Sequence, residues 1–266
     1  MQVCEDHLEV EFKFCSRAPE RVTVDQIASL FHGKYGFIRW PSEVKLDIYL
    51  DTPRFDLYRL NSPLRLRRWG SAFETSGFAC NFKYPPDIRQ GLRRRELKTP
   101  LTDKESLEVC GGAIIGGSLI QAAEFVARSS SMEPVFAPRV LIFSYSSYYI
   151  LRPCGDYELQ AETWTGRSPM RGKANNLLAL SFEQCAVQKA PEGGYERLIR
   201  NGMSDYDGGS ALMEFSEAEL EIRACPERRA LAESLYARIF TDLKKKGLNM
   251  STVSKYARAV EGINLL

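Results

Sequence analysis

Charged and apolar side chains alternate along much of this chain, and this alternation constrains the fold more than any other feature. In HLEVEFKF at 7–14, Glu9, Glu11 and Lys13 fall on one face of an extended strand and apolar residues fall on the other, because side chains alternate sides along a strand. The same alternation recurs in five further stretches: 44–51, 63–69, 91–98, 156–164 and 212–223. The pattern predicts antiparallel strands with one charged face.

The charges on these predicted strands are segregated by sign. Arginines cluster at 64–69 and 92–98, whereas carboxylates cluster at 216–222. The simplest interpretation is a sheet with one solvated face. Helices also need an apolar surface to cover, however, which favours a closed sheet with its charged face inside. A charged interior is costly unless it stays hydrated, is internally paired, or binds a charged ligand with metal. The closed arrangement therefore implies a binding function.

The periodicity predicts the following secondary structure. Strands are expected near 6–15, 44–51, 63–69, 76–84, 91–98, 134–143, 145–152, 156–164 and 212–223. Helices are expected near 23–33, 102–109, 118–127 and 226–246. The stretch 165–211 has weak periodicity and many turn residues, so it is predicted to be an insertion with partial helix around 175–183.

Composition restricts the class of protein. The chain has 266 residues, of which 44% are apolar and 26% are charged, which is typical of a globular protein. No apolar run approaches the length of a membrane span, and we expect a soluble, cytoplasmic protein without a membrane partner. The net charge of +2 gives no strong signal for nucleic-acid binding. The seven cysteines include no CxxC pair, so we expect reduced thiols and no structural zinc.

Several motifs occur in an order that resembles a known superfamily. The first is Glu9-x-Glu11-x-Lys13, which resembles an ExExK signature. The segments that follow are IYLDTP (48–53), PLRLRRW (63–69), FACNFKYP (78–85), RRREL (93–97), EPVFAPRV (133–140), AELEI (218–222) and VSKYARAVEGI (253–263). In this order they resemble the CYTH superfamily, the triphosphate tunnel metalloenzymes. Members include thiamine triphosphatase, inorganic triphosphatases, class IV adenylyl cyclase and fungal-type RNA triphosphatases.

The resemblance implies a fold. We expect one α+β domain over 1–266, built as a closed antiparallel eight-stranded β-barrel with a charged interior and helices packed outside. There are two departures from the superfamily pattern. Many relatives carry an Asp on the strand before the second ExE, and Glu162 is the best candidate for that position. The strand after Arg139 lacks the second inward arginine that many relatives carry.

The resemblance also implies roles for individual residues. Arginine suits bidentate phosphate binding and lysine acts as a compact charge, while Mg²⁺ or Mn²⁺ takes carboxylate and phosphate oxygens. The predicted substrate-binding residues are Lys13, Arg65, Arg67, Lys83, Arg94, Arg139 and Lys255. The predicted metal ligands are Glu9, Glu11, Glu162, Glu219 and Glu221. Lys255, Glu11 and Glu221 are predicted to be catalytic, with Lys255 near the reacting phosphate.

The function expected from these residues is metal-dependent hydrolysis of inorganic tripolyphosphate or a small organic or nucleoside triphosphate. An alternative is a class IV-type nucleotidyl cyclase, in which a ribose hydroxyl replaces the attacking water. A second alternative is a non-catalytic binder of triphosphorylated or cyclic nucleotides. The sequence does not separate these three, and it leaves open whether the protein is a monomer or a homodimer.

Overall fold

The structure is a computed structural model of the chain. It describes residues 5–16, 34–35, 37–70, 75–86, 93–130, 133–151, 177–201, 211–222, 228–245 and 248–266. The predicted helix at 23–33 and the predicted strand at 156–164 lie outside these ranges, and so does Glu162.

The described residues form an α+β protein organised around one large antiparallel sheet. Its strands are β1 (Glu5–Ser16), β2 (Ile38–Asp51), β3 (Leu64–Gly70), β4 (Thr75–Lys83), β5 (Arg93–Leu101), β6 (Ala137–Leu151), β7 (Leu178–Lys189), β8 (Met213–Ile222) and β9 (Leu248–Ser251). Neighbouring strands follow the order β5-β4-β3-β2-β6-β7-β8-β1-β9. An additional antiparallel ladder joins β5 to β1. The predicted α+β class and the predicted antiparallel sheet are therefore confirmed.

Strand β1 connects distant parts of the sheet. Its first half pairs with β5, with Glu9 opposite Arg94. Its second half pairs with β8, with Glu11 opposite Glu221 and Lys13 opposite Glu219. The described sheet has nine strands, one more than the eight-stranded barrel that the resemblance implies, because the short β9 also pairs with the end of β1.

Three of the four helices predicted from the sequence are present in the described structure. The described helices are α1 (Asp56–Arg59), α2 (Asp103–Cys110), α3 (Gly116–Ala127), α4 (Tyr195–Asn201), α5 (Arg229–Lys245) and α6 (Lys255–Gly262). Helices α2, α3 and α5 match the predictions at 102–109, 118–127 and 226–246, and a capping box of Thr102 and Glu105 begins α2. Among the described residues, no helix combines the length and apolarity needed to cross a membrane.

Two sequence predictions are corrected in the second half of the chain. The predicted strands at 134–143 and 145–152 form one continuous strand, β6, because Ser144 between them is buried within the sheet. The predicted partial helix around 175–183 is wrong from residue 178 onward, where β7 begins. Strand β7 is buried on both faces over most of its length, which weakens the alternation that identifies the other strands.

The apolar faces of the strands form the core beneath the helices. Leu46, Ile48 and Leu50 of β2 belong to a buried cluster that includes Val109 of α2 and Leu119 of α3. A second cluster packs Phe14, Leu180 and Leu220 against Ile239 and Leu243 of α5.

Helix α6 packs against a different part of the sheet. Its Tyr256 and Val260 join a third cluster with Tyr49, Val140 and Ile142. Tyr49 belongs to the face of β2 opposite Leu46, Ile48 and Leu50, so α6 covers part of the side of the sheet that carries the charged residues.

Candidate functional site

A cavity lies on the charged side of the sheet. Its lining residues are Lys13, Tyr49, Pro63, Arg65, Asn81, Lys83, Arg94, Ser254 and Lys255. The five cationic residues in this set come from β1, β3, β4, β5 and α6. All five are among the seven residues that the sequence predicted to bind substrate, so the structure brings most of that set together.

The charge of this cavity favours an anion. None of the described lining side chains is acidic, and Lys83, Arg94 and Lys255 are buried. Cations held close together in a poorly solvated space repel one another, and a polyanion would relieve that repulsion. The cavity is therefore suited to a compact ligand with several negative charges.

Glu96 partly neutralises one wall of the cavity. Its carboxylate accepts a hydrogen bond of 2.9 Å from Asn81 and lies 3.7 Å from Arg65 and 3.9 Å from Lys83. The buried Nε atoms of Arg65 and Arg94 have no hydrogen-bond partner among the described residues. Because an unpaired buried donor is costly, these two N–H groups are available to hydrogen-bond a ligand.

The contacts of Arg67 differ from those of Arg65, which lies two residues earlier on β3. The Nε and one terminal nitrogen of Arg67 each donate to Asp47 at 2.6 Å, and Arg65 lies 3.5 Å from the same carboxylate. Burial alone would raise the pKa of Asp47, but Arg67 and Arg65 lower that pKa to about 2. Arg67 is thus engaged by Asp47 and is not part of the cavity lining, and its role in substrate binding stays a prediction.

Arg139 lies apart from the five cavity cations. It is next to an irregularity in the pairing of β2 with β6, and its guanidinium is 5.8 Å from the centre of the Phe55 ring. Its proposed contact with substrate also stays a prediction.

A buried network of carboxylates and lysines adjoins the cavity. Lys255 on α6 donates to Glu183 on β7 in a very close contact and lies 3.3 Å from Glu217 on β8. The other oxygen of Glu183 accepts from Lys45 at 2.8 Å. Lys13 donates to Glu219 at 2.5 Å and lies 3.7 Å from Glu217. Two of the cavity cations, Lys13 and Lys255, are therefore already paired with carboxylates.

The two most buried carboxylates of this network have opposite pKa shifts. Burial alone would raise the pKa of Glu183, but Lys255 and Lys45 together hold it well below its ordinary value. Burial raises the pKa of Glu217 to about 7, with a further contribution from Glu219, although Lys13 and Lys255 oppose the rise. One oxygen of Glu217 is also buried without a hydrogen-bond partner among the described groups.

The predicted metal ligands are only partly described. Glu219 and Glu221 lie on β8, and Glu11 is opposite Glu221 in the ladder with β1. The side chains of Glu9 and Glu11 lie outside the described part of the structure, as does Glu162. Among the side chains that are described, no three carboxylate, histidine or cysteine groups form a potential metal site.

Glu183 is the site residue that sequence reasoning missed. The strand next to β8 in the sheet is β7, and its buried carboxylate is Glu183. Glu162 lies outside the described residues, so its role as a metal ligand stays a prediction. The signal for Glu183 was present in LALSFEQCAVQK at 178–189, where Ala179, Ser181 and Glu183 alternate with Leu178, Leu180 and Phe182. This alternation was not recognised as a strand because it lies within the turn-rich stretch 165–211.

Comparison with known proteins relates this geometry to solved structures. No family model and no curated protein matches the chain. A candidate adenylate cyclase from Bacillus halodurans is 14% identical, with a TM-score of 0.51 over 95% of this chain and 97% of that one. A candidate adenylyl cyclase from Hippeastrum with a dominant triphosphatase activity is 17% identical, with a TM-score of 0.49 over 96% of both chains.

The chain shares the fold of the Bacillus protein. The α+β fold with an antiparallel sheet that the motif resemblance implied agrees with this likeness. At 14% identity this likeness carries no information about substrate or reaction, which have to be argued from the side chains.

Proposed function

We propose that this chain hydrolyses a triphosphate, either inorganic tripolyphosphate or a small organic or nucleoside triphosphate, with the help of Mg²⁺ or Mn²⁺. The observation that carries the proposal is the cavity lined by Lys13, Arg65, Lys83, Arg94 and Lys255. Five cations from five separate elements match the several negative charges of a short phosphate chain.

We further propose that β1 to β8 enclose this cavity as a barrel. The ladder between β5 and the first half of β1 supports closure, because β5 is otherwise an end strand of the sheet. A closed sheet would surround the ligand with one face of each of the eight strands. Enclosure strengthens each ionic contact by excluding water.

The metal would be held by carboxylates of β1 and β8. Glu11 and Glu221 are opposite one another in adjacent strands, and Glu9 and Glu219 complete the proposed set. The fit is supported by Glu217 on the same strand as Glu219 and Glu221: burial raises its pKa to about 7, so further negative charge at this place is disfavoured unless a cation accompanies it. Hard carboxylate oxygens suit Mg²⁺ or Mn²⁺. When bound, such an ion supplies charge neutralisation and lowers the pKa of a bound water.

The residues of the chain have separable tasks in this reaction. Arg65 and Arg94 would bind phosphate oxygens through guanidinium N–H groups, and Lys13 and Lys83 would add compact positive charge. Lys255 would lie at the reacting phosphate and stabilise the charge that develops there. Phosphoryl transfer depends mainly on such positioning and electrostatic stabilisation. Glu11 and Glu221 would assist removal of the proton from the attacking water.

A panel of substrates tests this proposal. The purified protein is incubated with tripolyphosphate, thiamine triphosphate, ATP or GTP, with Mg²⁺, Mn²⁺ or EDTA, and the products are identified by mass. We expect release of orthophosphate with metal. A cyclic nucleotide and pyrophosphate would instead indicate a cyclase, and tight binding without turnover would indicate a binding protein.

Two arginines of β3 provide a matched control for the panel. Arg65 lines the cavity, whereas the guanidinium of Arg68 lies 5.7 Å from the centre of the Phe78 ring, and Phe78 belongs to the apolar core cluster. We expect Arg65→Gln to reduce turnover and Arg68→Gln to leave it unchanged. Equal losses in the two variants would show that general positive charge, and not the cavity, attracts the substrate.

A further inference from the structure

The position of Lys255 needs an explanation beyond its presence in the cavity wall. It is the first residue of α6, directly after the N-cap Ser254. A helix N-terminus carries partial positive charge, so it disfavours a cation. The lysine side chain is also long and flexible, which makes a fixed ammonium position costly in conformational entropy. An ammonium that is both buried and fixed here requires a counter-charge.

Glu183 supplies the closest counter-charge. It approaches Lys255 more closely than Glu217 and Glu219 do, since their carboxylates are 3.3 and 3.8 Å away. Those two carboxylates also contact Lys13, so they are shared between two cations of the cavity wall. Glu183 contacts Lys255 and Lys45, and Lys45 is not part of the cavity lining.

We propose that Glu183 is a positioning residue that fixes the Lys255 ammonium at the wall of the cavity. Lys45 has a supporting part: it neutralises the second oxygen of Glu183 at 2.8 Å and lies 4.7 Å from the centre of the Tyr148 ring. Glu183 thus stays ionised between two buried lysines, and its carboxylate cannot swing away from Lys255 without leaving Lys45 unpaired.

The variants that test this role keep the buried charge balanced. Glu183→Gln alone would leave two buried lysines close together and could prevent folding. The double variant E183Q/K45M removes one anion and one cation with side chains of similar size. The single variant K45M keeps the pair of Glu183 and Lys255, so it is the control. Thermal unfolding of both variants verifies that they fold.

The first readout does not depend on any catalytic activity. Cyanate carbamylates uncharged amines, and the rate at Lys255 is followed by peptide mass spectrometry. In K45M the ion pair keeps Lys255 protonated and slow to react. In E183Q/K45M we expect the rate to rise about tenfold or more, since each unit of lowered pKa gives about ten times more free amine. An equal rate in the two variants would overturn the proposal.

The second readout rests on the proposed function. With tripolyphosphate and Mg²⁺, we expect E183Q/K45M to lower kcat by about 10- to 100-fold relative to K45M, because a misplaced catalytic group slows turnover by such factors. KM should change little, since Arg65, Lys83 and Arg94 are untouched. Equal kcat values in the two variants would overturn the positioning role. A wild-type protein that turns over no triphosphate would refute the proposed function, and the carbamylation rates would still decide the role of Glu183.

Discussion

The pair of Asp47 and Arg67 makes a quantitative prediction about stability. Asp47 is fully buried and accepts two hydrogen bonds of 2.6 Å from Arg67. Its pKa falls from 3.8 to about 2, and a shift of almost two units corresponds to about 2.5 kcal/mol. Asp47→Asn also leaves the Arg67 charge buried without its partner, which typically costs about 3–5 kcal/mol. We expect the variant to lose about 2–5 kcal/mol of unfolding free energy at pH 7.

Urea unfolding at several pH values measures this loss. A carboxyl whose pKa is lowered by folding contributes stability that is present above its unfolded pKa and is lost as the pH falls through its folded pKa. For Asp47 the contribution should therefore disappear between about pH 4 and pH 2. The difference between wild type and Asp47→Asn should be largest at neutral pH and should narrow across that acid range.

Asp103 is the matched control for this experiment. It is exposed in the first turn of α2, where an acidic side chain typically contributes about 0.3–1 kcal/mol. Asp103→Asn should therefore cost much less than Asp47→Asn. Similar losses in the two variants, or a loss in Asp47→Asn that does not change with pH, would refute the interpretation of Asp47 as a buried ion-pair partner.

Three further predictions concern the cavity. EDTA should abolish hydrolysis and Mg²⁺ should restore it, and full turnover in metal-free buffer would contradict the proposed metal. Tripolyphosphate at about 100 times its Kd should add about 2.7 kcal/mol to the unfolding free energy, and Lys83→Met should reduce the melting shift measured by calorimetry. Glu217→Gln should stabilise the ligand-free protein at pH 8 by about 3 kcal/mol. Folding raises the pKa of the Glu217 carboxyl from 4.5 to about 7, so the wild-type protein loses unfolding free energy as the pH rises between those values and this carboxyl ionises. A lower unfolding free energy for Glu217→Gln than for the wild type, measured with urea at pH 8, would contradict this prediction.

The sequence determined which side chains share a face. Alternation with a period of two is a local property of an extended chain, so Arg65 and Lys83 could be assigned to the charged faces of β3 and β4 without a structure. The order of the motifs predicted the α+β fold and the antiparallel sheet. Amphipathic periodicity likewise predicted α2, α3 and α5.

The tertiary structure decided which of these charges pair. Arg65 and Arg67 have the same residue type and lie on the same face, yet Arg65 lines the cavity and Arg67 is engaged by Asp47. Local periodicity gives no means of distinguishing them, because the distance to Asp47 depends on the register of β2 against β3. That register places Asp47 directly opposite Arg67.

The partners of Glu183 also could not be predicted from local periodicity, because they are far away along the chain. Glu183 is 72 residues from Lys255 along the chain, and Lys13 is 206 residues from Glu219. Contacts of this kind form only when β7, β8, β1 and α6 are assembled, since no local interaction brings such segments together. The sequence therefore determined the chemical types of the groups on the charged face, and the packing of distant strands determined which carboxylate pairs with which cation and which of the cations line the cavity.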